Sequence, residues 1–495
     1  MDEQTTTGDR RVMLLTTVRS YRLEAFRAAA ERLGVAVVTG LDLPPELADS
    51  WPGALPLPFS APEAAAERIA AYAAEQPLSA ILSVDDSGSL IAAAASDALG
   101  LAHNAPAAAA AARDKYLMRC LLRDGGAAVP WFRRFTTADD PAAVAAQVPY
   151  PCVVKPLNLN GSRGVMRADS TEELIAAIER LTRLIAPGQA LSPQPSPKGR
   201  GGADPLPNPF PQGEGAPKGS PSLLPSPATG QPSASEDADS APVAPEPPLA
   251  ALEPPPATRY SPPVPRSPAA YLVEAFIPGV EVALEGLLDD GHLCVLALFD
   301  KPDPLDGPFF EETIYVTPSR LPAATQAAIE RATADAARAL GLRVGPVHAE
   351  LRVNEAGAWI VEVAGRSIGG LCSQVLRFGV DASLEEVILR QAVGLPLGDV
   401  GRRDRAAGVM MIPIPAAGLL RAVEGVEAAA AVPLVTSVEI TAPLHYPLTP
   451  LPEGDSYLGF IFARGQTPAE VEAALRAAHG QLRFTIEPLL PVISV

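Results

Sequence analysis

Apolar runs and helically spaced apolar positions alternate along the first hundred residues. Segments 12–17, 35–39 and 80–84 read as short strands. Between them, 23–32, 64–74 and 90–99 place Ala and Leu at the three-to-four-residue interval of an amphipathic helix. This alternation predicts parallel strands joined by crossover helices, an N-terminal open α/β domain. Thr16 and Asp85 then fall at strand ends, which in such domains face a ligand crevice. No GxGxxG follows the first strand, which argues against a dinucleotide site.

A helix is predicted over 114–122, stopped by Gly125-Gly126, followed by strands at 128–135, 151–156 and 164–167 and a helix over 172–184. The composition then changes. Residues 191–268 hold 23 of the chain's 55 prolines, and a segment of this kind buries too little apolar surface to offset its ordering entropy, so it reads as a disordered Pro-rich insertion. Periodicity resumes with a strand at 271–276, a hairpin made of 280–288 and 292–299 around Asp289-Asp290-Gly291, a helix over 323–340, and a second hairpin made of 347–353 and 358–363. The last hundred residues carry strands at 408–414, 437–441, 457–463 and 482–486 and a helix at 468–479, which predicts a separate α+β unit.

The chain has 495 residues, 47% of them hydrophobic, enough for two or three domains with their own cores. Its formal charge of -18, without any Lys/Arg stripe, argues against a nucleic-acid partner. Cys120, Cys152, Cys294 and Cys372 are widely spaced and form no CxxC pair, so neither a disulfide framework nor a thiolate zinc site is expected. No leader or membrane span is apparent, and the expectation is a soluble, cytoplasmic protein.

The second hairpin carries the most chemistry. Glu350 and Glu362 lie on strands that fold back at residues 354–357, which allows their side chains to be cross-strand neighbours roughly 5 Å apart at Cβ. Two carboxylates so placed repel unless a cation lies between them, and oxygen ligands suit Mg2+; two solvated acids on an exposed face are the alternative. Arg366 follows, beside Ile368-Gly369-Gly370, where a guanidinium could balance a phosphate or a carboxylate. Lys155 ends an apolar strand, and the loop after it contains Gly161, Ser162 and Gly164, a plausible phosphate clamp. The GxxxxGK[ST] spacing of a P-loop is absent. His348 shares a strand face with Glu350, where it could touch metal-bound water or substrate; a buried, hydrogen-bonded strand histidine is the commoner outcome. Glu311 and Glu312 are either substrate contacts or a solvated acidic pair.

Four segments in order, ARDKYLMRCLL at 112–122, PCVVKPLNLNGSRGV at 151–165, YLVEAFIPGVEVALEG at 271–286 and HAELRVNEAGAWIVEVAGRSIGG at 348–370, resemble the ATP-grasp superfamily, in particular its carboxylate-amine ligases of the L-amino acid ligase type. The resemblance implies three parts: a pre-ATP-grasp α/β domain (1–112), an ATP-grasp domain (113–394) and a C-terminal α+β domain (395–495). It implies ATP and Mg2+ as cofactors, and an acyl phosphate that an amine displaces. Lys115 and Lys155 would reach the ATP phosphates under a mobile loop containing Gly161, Ser162 and Gly164. Glu274, Ala275 and Phe276 would form the adenine hinge, and Glu281 would hold the ribose. Glu350 and Glu362 would bind metal, and Arg366, with Lys155, would act on the transferring phosphate. Many members carry Asn where this chain has Ala364, which removes one metal contact. Small carboxylates and amines are the implied partners, with no membrane partner, and a homodimer is compatible with the class. An ATP-grasp carboxylase or purine-pathway enzyme, or a noncatalytic nucleotide binder, remains open at this point.

Overall fold

The computed structural model describes residues 10–185 and 268–489, apart from 19, 45, 48–50, 52, 403 and 404. The expected insertion at 191–268 therefore lies, but for Pro268, outside the described residues. Among the described residues no helix is long and apolar enough to cross a membrane.

The N-terminal region forms the expected parallel sheet. Strands β1 (Arg11–Thr16), β2 (Ala36–Asp42), β3 (Ala54–Leu57) and β4 (Ala80–Ser83) are ordered β3-β2-β1-β4. Helices Leu23–Leu33, Pro62–Glu75 and Ser89–Leu99 connect them. Gly34 and Gly100 close two of these helices at φ 64° and 66°, a backbone region that costs glycine little. β1 is buried on both faces: Met13 and Leu15 pack with Leu57, Ile69 and Ile91, while Val12 and Leu14 pack with Phe26 and the distant Ile388. β3 was not expected from the sequence. It has four residues with Pro56 among them, and it survives because it is an edge strand.

Strands β5 (Phe132–Thr136), β6 (Cys152–Pro156), β7 (Met166–Ala168) and β8 (Ala270–Ala275) make a small antiparallel sheet ordered β5-β8-β6-β7. Helix Thr171–Ile185 covers it through Leu174, Ile178 and Leu181.

The remaining strands are β9 (Val280–Asp289), β10 (His292–Asp300), β11 (Ile314–Thr317), β12 (Gly345–Asn354) and β13 (Gly357–Ala364), a short pair β14 (Arg377–Phe378) and β15 (Ala382–Ser383), then β16 (Ala406–Ile412), β17 (Gly418–Glu424), β18 (Val435–Ile440), β19 (Pro447–Leu448), β20 (Gly459–Gly465) and β21 (Arg483–Glu487). Eight of them form one sheet ordered β13-β12-β9-β10-β11-β16-β20-β18. The C-terminal region is α+β as expected, and its sheet is partly continuous with the central one: only β19-β17-β21 form a sheet of their own, whereas β16, β18 and β20 extend the central sheet. The physical reason lies in β16, which is buried at all seven positions and so needs partners at both edges, found in β11 and β20. Helix Leu384–Ala392, also unexpected, carries a legible start signal: Ser383 and Glu386 form a reciprocal capping box.

Candidate active site

A cavity of about 530 Å³ opens where the N-terminal sheet, the small sheet and the central sheet converge. Its acidic wall is the β12–β13 hairpin. The register sets Glu350 directly opposite Glu362, and Gly357, at φ 126°, makes the turn that returns the chain. Both side chains line the cavity and remain about a quarter exposed, at 25% and 29%. Lys115 reaches this wall from the start of its helix, its Nζ 3.2 Å from Glu362 Oε1 and 2.9 Å from the Leu159 carbonyl oxygen.

Glu350 also belongs to a second cluster. Its carboxylate, Glu281 and Glu312 bring oxygen atoms within 4.8 Å of one another, around the ammonium of buried Lys301. Lys301 donates to Glu281 Oε1 at 2.8 Å and to Glu312 Oε1, and lies 3.7 Å from Glu350 Oε1. Burial opposes the lysine's charge, but the three carboxylates prevail and hold its pKa well above the usual value. Burial likewise works to raise the Glu350 carboxyl, and Lys301 and then His348 overcome it, so its pKa lies below the ordinary carboxylate range. Lys301 is not among the residues expected from the sequence, because its separation from Glu350 along the chain hides the contact. The donor set fits a hard divalent ion such as Mg2+, since Glu350 and Glu362 present accessible carboxylate oxygens on facing strands. Ala364 lines the same wall and offers only a methyl group.

The small sheet supplies the opposite wall. Lys155, one residue before the end of β6, pairs with Glu274 of β8, whose other partner, Arg119, donates through Nε at 2.8 Å. All three are buried. Burial pushes the Glu274 carboxyl up, yet Arg119 and Lys155 outweigh it and hold its pKa at about 2. The hinge differs in detail from expectation. The N–H groups of Ala275 and Phe276 donate to the carbonyl oxygens of Trp131 and Pro151, at 2.8 and 2.9 Å, so neither is turned to a ligand. The residue after them, Ile277, lines the cavity together with the Phe276 side chain. Phe276 stacks with Phe310 at 6.4 Å, and the Arg352 guanidinium lies over both rings at 4.7 and 5.7 Å. Glu281 lines the cavity with each carboxylate oxygen already accepting one bond, from Lys301 and from Arg352 at 2.9 Å.

The loop after β6 takes left-handed conformations at Gly161 (φ 62°), Ser162 (φ 55°) and Gly164 (φ 73°). The C-terminal region clasps it: Gly164 N–H donates to Pro452 O at 2.7 Å and Arg163 Nε to Glu453 O at 3.0 Å. Arg180, on the helix beneath, holds the Glu453 carboxylate through two bonds of 2.5 and 2.8 Å.

Arg366 sits at the end of the acidic wall and donates through Nε to Asp86 Oδ2 at 2.7 Å, which ties the central sheet to the N-terminal domain. His348 is buried as expected, with Nδ1 3.1 Å from Glu285 Oε2. Glu311 and Glu312 diverge: Glu312 turns inward to Lys301 and Tyr315, while Glu311 does not line the cavity. Every site residue expected from the sequence except Gly164 and Ala275 lines this one cavity. Asp86, Arg22, Lys301, Arg352 and Phe310 were missed, and of these only Asp86 carried a signal, as a neighbour of the strand-end Asp85.

A nucleotide-sized cleft between two α+β halves, with facing acids on one and a lysine and a small-residue loop on the other, is the arrangement of an ATP-grasp protein. Three stretches of the chain match domains of that kind: residues 257–375 match the ATP-grasp domain, 26–103 the ATP-grasp N-terminal domain, and 410–487 the L-amino acid ligase C-terminal domain 2. The L-amino acid ligase of Bacillus licheniformis has a similar fold, with a TM-score of 0.67, 23% identity, and coverage of 97% of this chain and 99% of that one. Carboxyaminoimidazole ribonucleotide synthase of Aspergillus clavatus, solved with ATP, gives a TM-score of 0.62 at 14% identity over 97% of this chain and 100% of that chain. Carnosine synthase 1 of Gallus gallus is 35% identical over 148 residues, 29% of this chain and 16% of its own length. The chain spans between 16% and 32% of the length of the curated relatives it matches.

Proposed function

We propose that the chain is an ATP-dependent carboxylate-amine ligase that works through an acyl phosphate. The observation that carries this reading is the in-register pair Glu350 and Glu362, which shares one cavity with Lys115, Lys155 and Arg366. Mg2+ held by the two glutamates would offset phosphate charge, as phosphoryl transfer depends chiefly on positioning and electrostatics.

Lys155 and Lys115 orient the phosphates, and the backbone of the Gly161–Ser162–Gly164 loop encloses them. Adenine lies against Phe276, with the Ile277 N–H as the hinge donor in place of Ala275 and Phe276. A ribose hydroxyl can bond a remaining lone pair of Glu281. A substrate carboxylate oxygen attacks the γ-phosphorus, the bond to the β-γ bridging oxygen breaks, and ADP leaves. Arg366, fixed by Asp86, balances the charge gathered on the transferring phosphate. An amine nitrogen then attacks the acyl carbon; the C–N bond forms, the C–O bond to phosphate breaks, and the amine gives up a proton. No protein nucleophile is needed.

A phosphate-release screen over amino acids and small carboxylates, each alone and in pairs, tests the reading. Release should require a carboxylate and rise with an amine. Release driven by bicarbonate alone would make the chain a carboxylase, and ATP binding without any release would make it a noncatalytic binder.

A further inference from the structure

A second cavity, of about 110 Å³, lies between the N-terminal domain and the central sheet. It shares only Asp86 and Arg366 with the active-site cavity, so that ion pair is the partition between the two. One wall is a face of helix Ser89–Leu99, where Ala92, Ala93 and Ser96 recur at helical spacing. A second is the end of helix Pro106–Arg113, with Ala112 and Arg113. Most of this lining is aliphatic and small.

Two polar groups there lack partners within the protein. Ser96 is 1% exposed, and its Oγ has no hydrogen-bond partner among the described residues, although a helical serine can ordinarily turn back to a carbonyl. A buried hydroxyl left in this state is costly, and a ligand oxygen would relieve it. Arg113 is half-buried and makes neither a hydrogen bond nor an ion pair among the described residues. Asp86, the acid in the lining, is committed to Arg366, so the charge that is unanswered in this cavity is positive. The charge asks for an anion, the wall for an aliphatic chain, and the volume for a small one: an apolar cavity of about 150 Å³ takes benzene, with six heavy atoms.

We propose that this cavity is a regulatory site for a short aliphatic monocarboxylate, whose carboxylate accepts from Ser96 Oγ and pairs with Arg113 while its chain lies against Ala93 and Ala112. An anion bound behind Asp86 competes with it for the Arg366 guanidinium and draws that group away from the active site, so turnover falls while ATP still binds. The binding step is independent of the ligase reading above; its effect on turnover, which passes through Arg366, rests on that reading.

Butyrate is the probe, and calorimetry on the full chain is the first measurement. The wild type should bind it with a Kd of about 1 mM or tighter, and butan-1-ol and butylammonium about 10-fold more weakly or worse. Ala93→Leu fills the cavity and should abolish binding. S96A, which has no internal bond to lose, and R113M should each weaken it about 5-fold or more. Should Ala93→Leu fail to fold, S96A and R113M carry the test. In the wild type, butyrate should lower the maximal rate of phosphate release and leave the KM for ATP unchanged, an effect that S96A and R113M blunt. Absence of binding up to about 20 mM overturns the proposal, as does butan-1-ol binding as tightly as butyrate. Binding that survives Ala93→Leu, or that S96A and R113M leave unchanged, places the ligand elsewhere and overturns it too. Full turnover with the site saturated overturns the regulatory role. Butyrate binding in a chain that releases no phosphate with any substrate overturns the ligase reading and leaves the site standing.

Discussion

The acidic wall and the clasp over the phosphate loop enclose the same cavity by different means. Glu350 and Glu362 are twelve positions apart, and a hairpin brings them together through its own register. Pro452 and Glu453 reach residues 163, 164 and 180 across more than 270 positions, through two backbone carbonyls and one exposed ion pair. The first arrangement is local, half-buried and set by strand pairing. The second depends on how separate regions dock, so each of its contacts should be weaker and more replaceable.

The difference is open to test, starting with the largest effect. Glu362→Gln keeps the shape of the wall and removes a charge, and turnover should fall by about 10³ or more with the thermal midpoint little changed. Glu350→Gln should act likewise but also free Lys301 of one neighbour. Substantial Mg-dependent ATP consumption by Glu362→Gln would break the distinction between the two walls.

Next comes the buried pair that supports Lys155. Glu274→Gln should cost about 3–5 kcal/mol in urea unfolding, because Arg119 and Lys155 lose their buried partner. Since the Glu274 pKa is about 2 when folded, against an ordinary 4.5, its contribution is complete above pH 4.5 and is lost as pH falls towards 2. The wild-type unfolding midpoint should therefore drop more steeply across that window than that of Glu274→Gln.

Arg366→Lys should lower turnover by about 10²-fold with little change in ATP affinity, since an ammonium cannot hold Asp86 and a phosphate oxygen in one planar fork. The smallest effect belongs to the clasp. Glu453→Gln removes a pair whose members are 39% and 38% exposed, and such pairs contribute about 0–1 kcal/mol, so the KM for ATP should rise only about 2-fold to 5-fold. Faster protease cleavage within residues 158–164 is the accompanying readout.

The same contrast explains what the sequence made legible. Helices Ala323–Leu340 and Pro468–His479 were expected at their observed bounds, because periodicity and flanking Pro and Gly are local signals. The hairpin acids were legible for the same reason. β11 was not, being a four-residue strand fixed only by its neighbours β10 and β16. Nor was the joining of β16 to the central sheet, nor the place of Lys301, whose carboxylates come from three different strands or loops. Arg22 looked like any arginine before a helix; its burial exists only once residues 84 and 367 meet it.

The most direct test of the acyl phosphate is the fate of oxygen. With a substrate carboxylate labelled with 18O, the oxygen that attacks the γ-phosphorus leaves with phosphate when the amine displaces it. One labelled oxygen should appear in each phosphate released, and only when ATP is consumed. Unlabelled phosphate at full turnover would contradict the transfer of phosphate to the carboxylate.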